Sequence, residues 1–142
     1  MIQKTCQQAR SLRELRMKPE ILDRFKDSKI LVIGEVMIDR YLYGETTRIS
    51  PEAPVPVIRT THEKDVLGGA GNAANNIISL KGNATIISIV GDDEDSKKVK
   101  KLLENSSISY MLIEDKCRPT IVKKRIISGN NNQLLRIDQE NP

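Results

Sequence analysis

Apolar residues along this chain gather into short runs divided by polar, glycine-rich or proline-rich stretches. The first run, Ile30-Leu31-Val32-Ile33-Gly34-Glu35-Val36-Met37-Ile38-Asp39, predicts one strand buried on both faces, as in a parallel sheet, with Asp39 just beyond its end. Ala84 to Val90 predicts a second such strand, closing with Gly91-Asp92-Asp93, and Ile108 to Ile113 a third. Helical spacing fills the gaps: Asn72 to Leu80, ending near Gly82, and Glu94 to Glu104 with Val99, Leu102 and Leu103 inward. Thr120 to Ser128 turns through Gly129-Asn130-Asn131-Asn132 into Gln133 to Asp138, a predicted hairpin. Residues 1–28 read as a polar extension running into a helix, with Leu12, Leu15, Ile21, Leu22 and Phe25 at three- and four-residue spacing and a break at Pro19.

Between Arg40 and Leu67 the pattern changes. Three prolines in six residues, Pro51, Pro54 and Pro56, exclude a central strand and suit an edge. Val55 to Ile58 then alternates as an exposed, two-faced strand, so 40–67 reads as a small β-excursion, a flap over whatever site the domain carries. Strand, excursion, helix, strand, helix, strand and hairpin make an α/β domain with an added β element. The chain stops at Asn141-Pro142 directly after a strand, which leaves the open side of a doubly wound sheet without a partner and reads as a cut.

Composition narrows the field. The 142 residues suit one domain, and 38% hydrophobic against 30% charged residues is the balance of a soluble protein. A net charge of +4, from 23 basic and 19 acidic residues spread along the chain, is too mild for nucleic acid but suits a small anion. Lys97, Lys98, Lys100 and Lys101 form a solvated helix face, and four aromatic residues supply no base-stacking platform. No run has membrane-spanning length and no hydrophobic signal core opens the chain. Cys6 and Cys117 lack metal-type spacing and read as free thiols of a cytoplasmic protein. His62 is the only histidine, which excludes sites built on several imidazoles, and no metal site is expected.

Candidate chemistry centres on Gly68-Gly69-Ala70-Gly71-Asn72-Ala73-Ala74. Adjacent glycines followed by a helix start expose backbone N–H groups and a partial positive charge, which favours hydroxyls, phosphates or carboxylates. Taken alone, the same residues make a ligand-free tight turn, and Asp39 alone is equally a turn or cap residue. Gly69-Ala70-Gly71-Asn72-Ala73-Ala74 formally matches a dinucleotide fingerprint, with Asp92 at a fitting distance. It is rejected because Glu63-Lys64-Asp65-Val66 is too polar for the buried strand such a turn must follow. No Gly-Lys-Ser/Thr follows at Walker A spacing.

The Asp39 strand end, the Gly68–Ala74 stretch, the following helix and the strand closing at Gly91-Asp92 together resemble the ribokinase-like (phosphofructokinase B type) carbohydrate kinases. Within that family, Gly34-Glu35-Val36-Met37-Ile38-Asp39-Arg40-Tyr41 and the specific run Arg48-Ile49-Ser50-Pro51-Glu52-Ala53-Pro54-Val55-Pro56-Val57 are similar to the D-glycero-D-manno-heptose-7-phosphate kinases, which occur alone or fused to an adenylyltransferase. The hairpin Thr120–Arg125 and Asn132–Asp138 is similar as well, so the resemblance covers about residues 29–140. Lys81 stands where the family signature has Gly or Ser.

The resemblance implies the N-terminal part of a doubly wound ribokinase-like sheet: 1–28 an extension, 29–142 a partial sugar-binding domain, with β-lid segments at about 40–67 and 120–138. It places Asp39, Gly68, Gly69 and Asn72 around a sugar's hydroxyls. Lys123, Arg125 or Arg136 becomes the holder of the substrate's own phosphate, the alternative being solvated edge-strand charges. It implies a homodimer through the lid. It also implies ATP and Mg2+ for the family's full-length members, but their catalytic Gly-Ala-Gly-Asp loop, with its general base and anion hole, is absent from this sequence. The expected function is therefore the sugar side of an ATP-dependent heptose-7-phosphate 1-kinase of envelope (ADP-heptose, lipopolysaccharide core) biosynthesis. The alternatives are an inactive fragment retaining sugar binding or lid dimerisation, and another sugar kinase of the same fold.

Overall fold

The structure, a computed structural model, describes residues 23–129 and 131–140. The predicted helix before residue 23 lies outside the described residues; Phe25 belongs to a short 3-10 turn, Arg24–Asp27. Seven strands follow: β1 (Lys29–Ile33), β2 (Val36–Ile49), β3 (Pro56–Gly69), β4 (Asn83–Gly91), β5 (Ser109–Asp115), β6 (Val122–Ser128) and β7 (Asn132–Gln139). Helix α1 (Ala70–Ser79) joins β3 to β4, and α2 (Glu94–Asn105) joins β4 to β5.

These strands form two sheets. One is parallel, in the order β1-β4-β5; the other has the order β3-β2-β6-β7, with β2 and β6 parallel and both outer pairs antiparallel. The run from Ile30 to Asp39 is thus two strands. It breaks at Gly34-Glu35, where the chain leaves the first sheet for the second, so Asp39 lies inside β2 and not beyond a strand end. Continuous apolar character concealed this step because both halves are apolar for different reasons. Val36 and Ile38 enter the core, whereas Leu31 and Ile33 are 55% and 73% exposed on the sheet face opposite the helices. Ile89, Met111 and Ile113 share that open face, so the predicted burial on both sides holds for one side only among the described residues.

The core lies between α1, α2 and the sheets: Val36, Ile38, Leu67, Ala74, Ile86, Val90, Val99, Leu103 and Val122 are all buried there. β3 runs through Glu63–Val66, a stretch too polar for a central strand. It is an edge strand, and its outward positions meet water. Pro56 opens that edge, where a missing N–H breaks no ladder. The glycine turn does follow a strand directly, contrary to the reason for rejecting the dinucleotide fingerprint. The rejection still stands, because β3 and β4 belong to different sheets and form no βαβ unit.

Both helices end in the same way. Lys81 takes φ 65° after α1, with its N–H donating to the Ile78 carbonyl and the Gly82 N–H to the Ile77 carbonyl. Ser107, at φ 55°, repeats the pattern after α2, with Ile108 N–H reaching the Leu103 carbonyl. This is the Schellman closure, here with non-glycine residues in the left-handed position. At the other end of α2, Asp93 caps the helix through Ser96 N–H at 2.8 Å and accepts both the N–H and the hydroxyl of Thr120. Burial pushes the Asp93 carboxyl up, but the Thr120 and Ser96 donors outweigh it and hold the group below the usual carboxylate range.

Candidate functional site

Strand alternation decides which side chains meet. Residues paired across a sheet share a face, and register aligns Asp39 with Val66 and Lys123, Tyr41 with Lys64 and Arg125, and Lys123 with Asp138. One face of the four-stranded sheet therefore carries Gly68, Asp39, Tyr41, Lys123, Arg125, Arg136 and Asp138. The opposite face carries Ile38, Leu67 and Val122 into the core.

Gly68 and Gly69 close the β3 end of this face. A Cβ on Gly68 would stand 2.8 Å from Asp39 Oδ2 and 2.8 Å from Met37 Cγ, so only hydrogen fits beside the carboxylate. Gly69 takes φ +56° and passes close to the Glu35 carbonyl, which accepts the Ala70 N–H at 2.9 Å. The helix begins at Ala70, two residues before the predicted start. Asn72 thus lies in the first turn of α1, exposed, its side chain without a hydrogen bond to another described residue. The structure brings Asp39 and Gly68 together, and Asn72 follows in the first turn of α1.

Lys123 and Arg125 lie on β6, whereas Arg136 lies on the edge strand β7. β6 is an interior strand, flanked by β2 and β7. Arg125 Nη1 donates to Asp39 Oδ1, and its guanidinium carbon lies 5.3 Å from the Tyr41 ring centroid. The bond to Asp39 pushes the Arg125 pKa up against the opposing effect of burial. Lys123 stands 3.5 Å from both Asp138 and Glu140, while Arg136, half exposed, bonds Asp138 at 2.9 Å. Tyr41 was not singled out by sequence, although the 39/41 alternation with Asp39 marks it. Beyond it the face continues as a stack of Tyr43 on His62, centroids 4.4 Å apart.

Sequence reasoning also missed Arg40, which turns toward the core side and is 8% exposed. It donates to both oxygens of Asp65 at 2.8 Å and to Asp95 in the first turn of α2 at 2.8 Å. The Asp65 bond pushes its pKa up; burial opposes this, and Asp95 adds to the rise. The ion cluster thereby ties β2 and β3 to α2. A charged residue two positions after Ile38, on the same strand face, was the available signal. Among the described residues no group of three or more His, Cys, Asp or Glu side chains could hold a metal ion, and no helix is long and apolar enough to cross a membrane.

Solved structures share this arrangement. A carbohydrate kinase from Agrobacterium tumefaciens superposes with TM-score 0.64 at 26% identity, over 78% of this chain and 35% of that one. Ribokinase from Cryptococcus neoformans, solved in complex with ADP, gives 0.55 at 23% identity, over 78% and 34%, a likeness of fold alone. The fold is that of part of a ribokinase-like sugar kinase. Residues 27–141 match the pfkB family of carbohydrate kinases, and the chain belongs to that family. Among its relatives are D-beta-D-heptose 7-phosphate kinase of Bordetella bronchiseptica, 42% identical over 83% of this chain and 37% of that protein, and the bifunctional protein HldE of Haemophilus influenzae, 46% identical over 82% and 24%. HldE of Pseudomonas fluorescens is 44% identical over 85% of this chain and 25% of its own length. The chain thus spans between a quarter and two fifths of these relatives.

Proposed function

We propose that this chain is the sugar-phosphate-binding portion of a heptose-7-phosphate 1-kinase, an enzyme that moves phosphate from ATP to the anomeric hydroxyl and yields a 1,7-bisphosphate. The observation that carries the reading is the single sheet face on which Asp39 abuts Gly68 and is flanked by Lys123 and Arg125. A carboxylate accepts from vicinal hydroxyls, an unsubstituted backbone lets the sugar approach, and guanidinium binds phosphate bidentately. Gly69 and Asn72, just before and within the first turn of α1, are the further candidates for contact with the sugar's hydroxyls. The two hairpins act as a lid that excludes water when the sugar is bound.

The likeness to the Bordetella bronchiseptica D-beta-D-heptose 7-phosphate kinase favours heptose 7-phosphate over other sugars. ATP and Mg2+ belong to the whole kinase. The described residues offer neither a metal cluster nor the Gly-Ala-Gly-Asp loop, so they do not fit a nucleotide–metal site and no transfer step is assigned to them. The chain's role is substrate capture, in the cytoplasm and within a lid-paired dimer. An inactive fragment that keeps only this binding is the second reading, favoured by the same missing loop.

The test is Asp39→Ala, made at the matching position of a full-length relative. Losing a hydrogen bond to a charged acceptor, about 1.5–3 kcal/mol, weakens heptose 7-phosphate binding roughly ten- to a hundredfold in calorimetry. Unchanged affinity with a normal melt would refute the sugar-site assignment.

A further inference from the structure

Lys123, Arg125 and Arg136 each have a carboxylate partner, but the partners differ in kind; Lys64, opposite Tyr41 on the same face, has no ion pair among the described residues. Lys123 is held by Asp138 and Glu140, and Arg136 by Asp138; both acids lie at the outer, β7 side of the sheet. Arg125 is held by Asp39, the group assigned to the sugar. Its side chain and that of Asp39 are 21% and 19% exposed, so the pair is largely screened from water but open to a ligand. Asp39 Oδ1 is occupied by the guanidinium while Oδ2 faces Gly68. Tyr41 gives the guanidinium a second surface, 5.3 Å from its ring centroid, on which the cation can rest once Asp39 lets go.

We propose that the Asp39–Arg125 pair is an exchangeable block that makes the site selective for phosphorylated sugars. This rests on the sugar-phosphate reading above. An incoming phosphate takes Arg125 from Asp39 and thereby frees Oδ1 to accept sugar hydroxyls. A neutral sugar brings nothing to replace the carboxylate at Arg125. It must break a charge-assisted bond to form ordinary hydroxyl bonds and leave a half-buried cation unpaired. One acid cannot serve both partners, and the substrate's own charge decides which it serves. Lys123 and Arg136 do not impose this condition, because releasing them uncovers no sugar ligand.

The exchange predicts opposed effects from one substitution. In calorimetry on the 142-residue chain, Arg125→Ala weakens heptose 7-phosphate by about tenfold or more and strengthens unphosphorylated heptose by about threefold or more. Equal weakening of both ligands, or no change in either, overturns the exchange while leaving the sugar-phosphate reading intact. If wild-type chain binds neither ligand, that reading falls and the exchange with it. A second measurement needs no variant. Inorganic phosphate occupies Arg125 in trans, so millimolar phosphate tightens heptose binding to the wild-type chain, and heptose tightens phosphate binding by the same factor. Phosphate that competes with heptose, or leaves it unaffected, overturns the proposal even where Arg125→Ala does not fold.

Discussion

Gly68 stands so close to Asp39 that a methyl group in place of its hydrogen would lie 2.8 Å from the carboxylate oxygen. The relationship spans two strands: Gly68 is paired with Met37, and Asp39 is the next residue along β2 on that face. Gly68→Ala therefore displaces Asp39, Met37 or both, whereas Gly69→Ala meets a positive φ and the Glu35 carbonyl at 2.5 Å. The two substitutions separate function from folding. Gly68→Ala is expected to weaken sugar-phosphate binding by roughly tenfold with about 1–2 kcal/mol lost in urea unfolding. Gly69→Ala is expected to destabilise more, by about 2–4 kcal/mol, because strain and overlap add. Calorimetry and urea midpoints on both variants check the order.

Lys81 supplies a stability prediction independent of the site. It occupies a left-handed position that glycine adopts without steric penalty, and where the family signature has Gly or Ser. Lys81→Gly should gain roughly 0.5–1 kcal/mol, the strain relieved less the entropy glycine surrenders, or about 2–5 °C in melting temperature. Lys81→Ala keeps the strain and should leave the melt unchanged. A gain in the alanine variant would mean that the lysine side chain, not the backbone, is the cause.

Element type was legible wherever one face of an element is buried. β4, β5, β6, β7 and both helices fall within two residues of their predicted spans, because period and turn residues there agree. Two features were not legible. The break at Gly34-Glu35 leaves no polar mark, since Ile33 and Val36 are both apolar although one is exposed and the other buried. The opening of β3 was legible as an exposed strand, but its second half was hidden, because an edge strand with one wet face looks like a polar loop over Glu63–Asp65. At the site, Asp39, Gly68, Lys123, Arg125 and Arg136 were each marked by residue type, and their shared face follows from register. The Asp39–Arg125 pairing was not readable, because no local pattern records that β2 and β6, 86 residues apart at this pair, are neighbours.

The four-stranded sheet extends beyond α2 and leaves apolar residues uncovered there among the described residues. Leu42 and Ile126 are half-buried on that face, and Leu135 and Ile137 beside them are 52% and 46% exposed. Pairing of two lids about a two-fold axis would cover them. Sedimentation velocity is expected to show a dimer at high micromolar concentration, and Leu135→Lys with Ile137→Lys a monomer. A folded wild-type monomer at that concentration sinks the lid-dimer reading.

Asp93 sets an acid limit on the fold. Its folded-state pKa lies below the ordinary value of about 3.9, so its contribution is complete above that value and disappears as pH falls through the lower one. Asp93→Asn keeps a capping oxygen but cannot accept from both Thr120 donors and Ser96 as the carboxylate does. The variant should be about 1–2 kcal/mol less stable at pH 7, and the gap should close as pH falls below the ordinary carboxylate range. Urea midpoints at pH 7, 4 and 2.5 follow it. A gap that stays constant across this range would assign the loss to packing and not to charge.

The last prediction concerns catalysis by the chain as it stands. Phosphoryl transfer is carried by positioning and by charge stabilisation around the γ-phosphate, together with a base for the attacking hydroxyl. The family places base and anion hole in a Gly-Ala-Gly-Asp loop that this sequence does not contain. Among the described residues the carboxylate beside Gly68 on the candidate face is Asp39, and Arg125 occupies it. A substitute base is therefore not at hand, and capture of the sugar phosphate should proceed without turnover. With ATP, Mg2+ and heptose 7-phosphate, the purified chain is expected to release ADP more than about a thousandfold slower than a full-length relative. A coupled ADP-release assay decides, run beside calorimetry on the same preparation to show that sugar phosphate is bound. Turnover within about tenfold of the control would place a working base and anion hole among these residues and overturn the assignment of this chain to the sugar side alone.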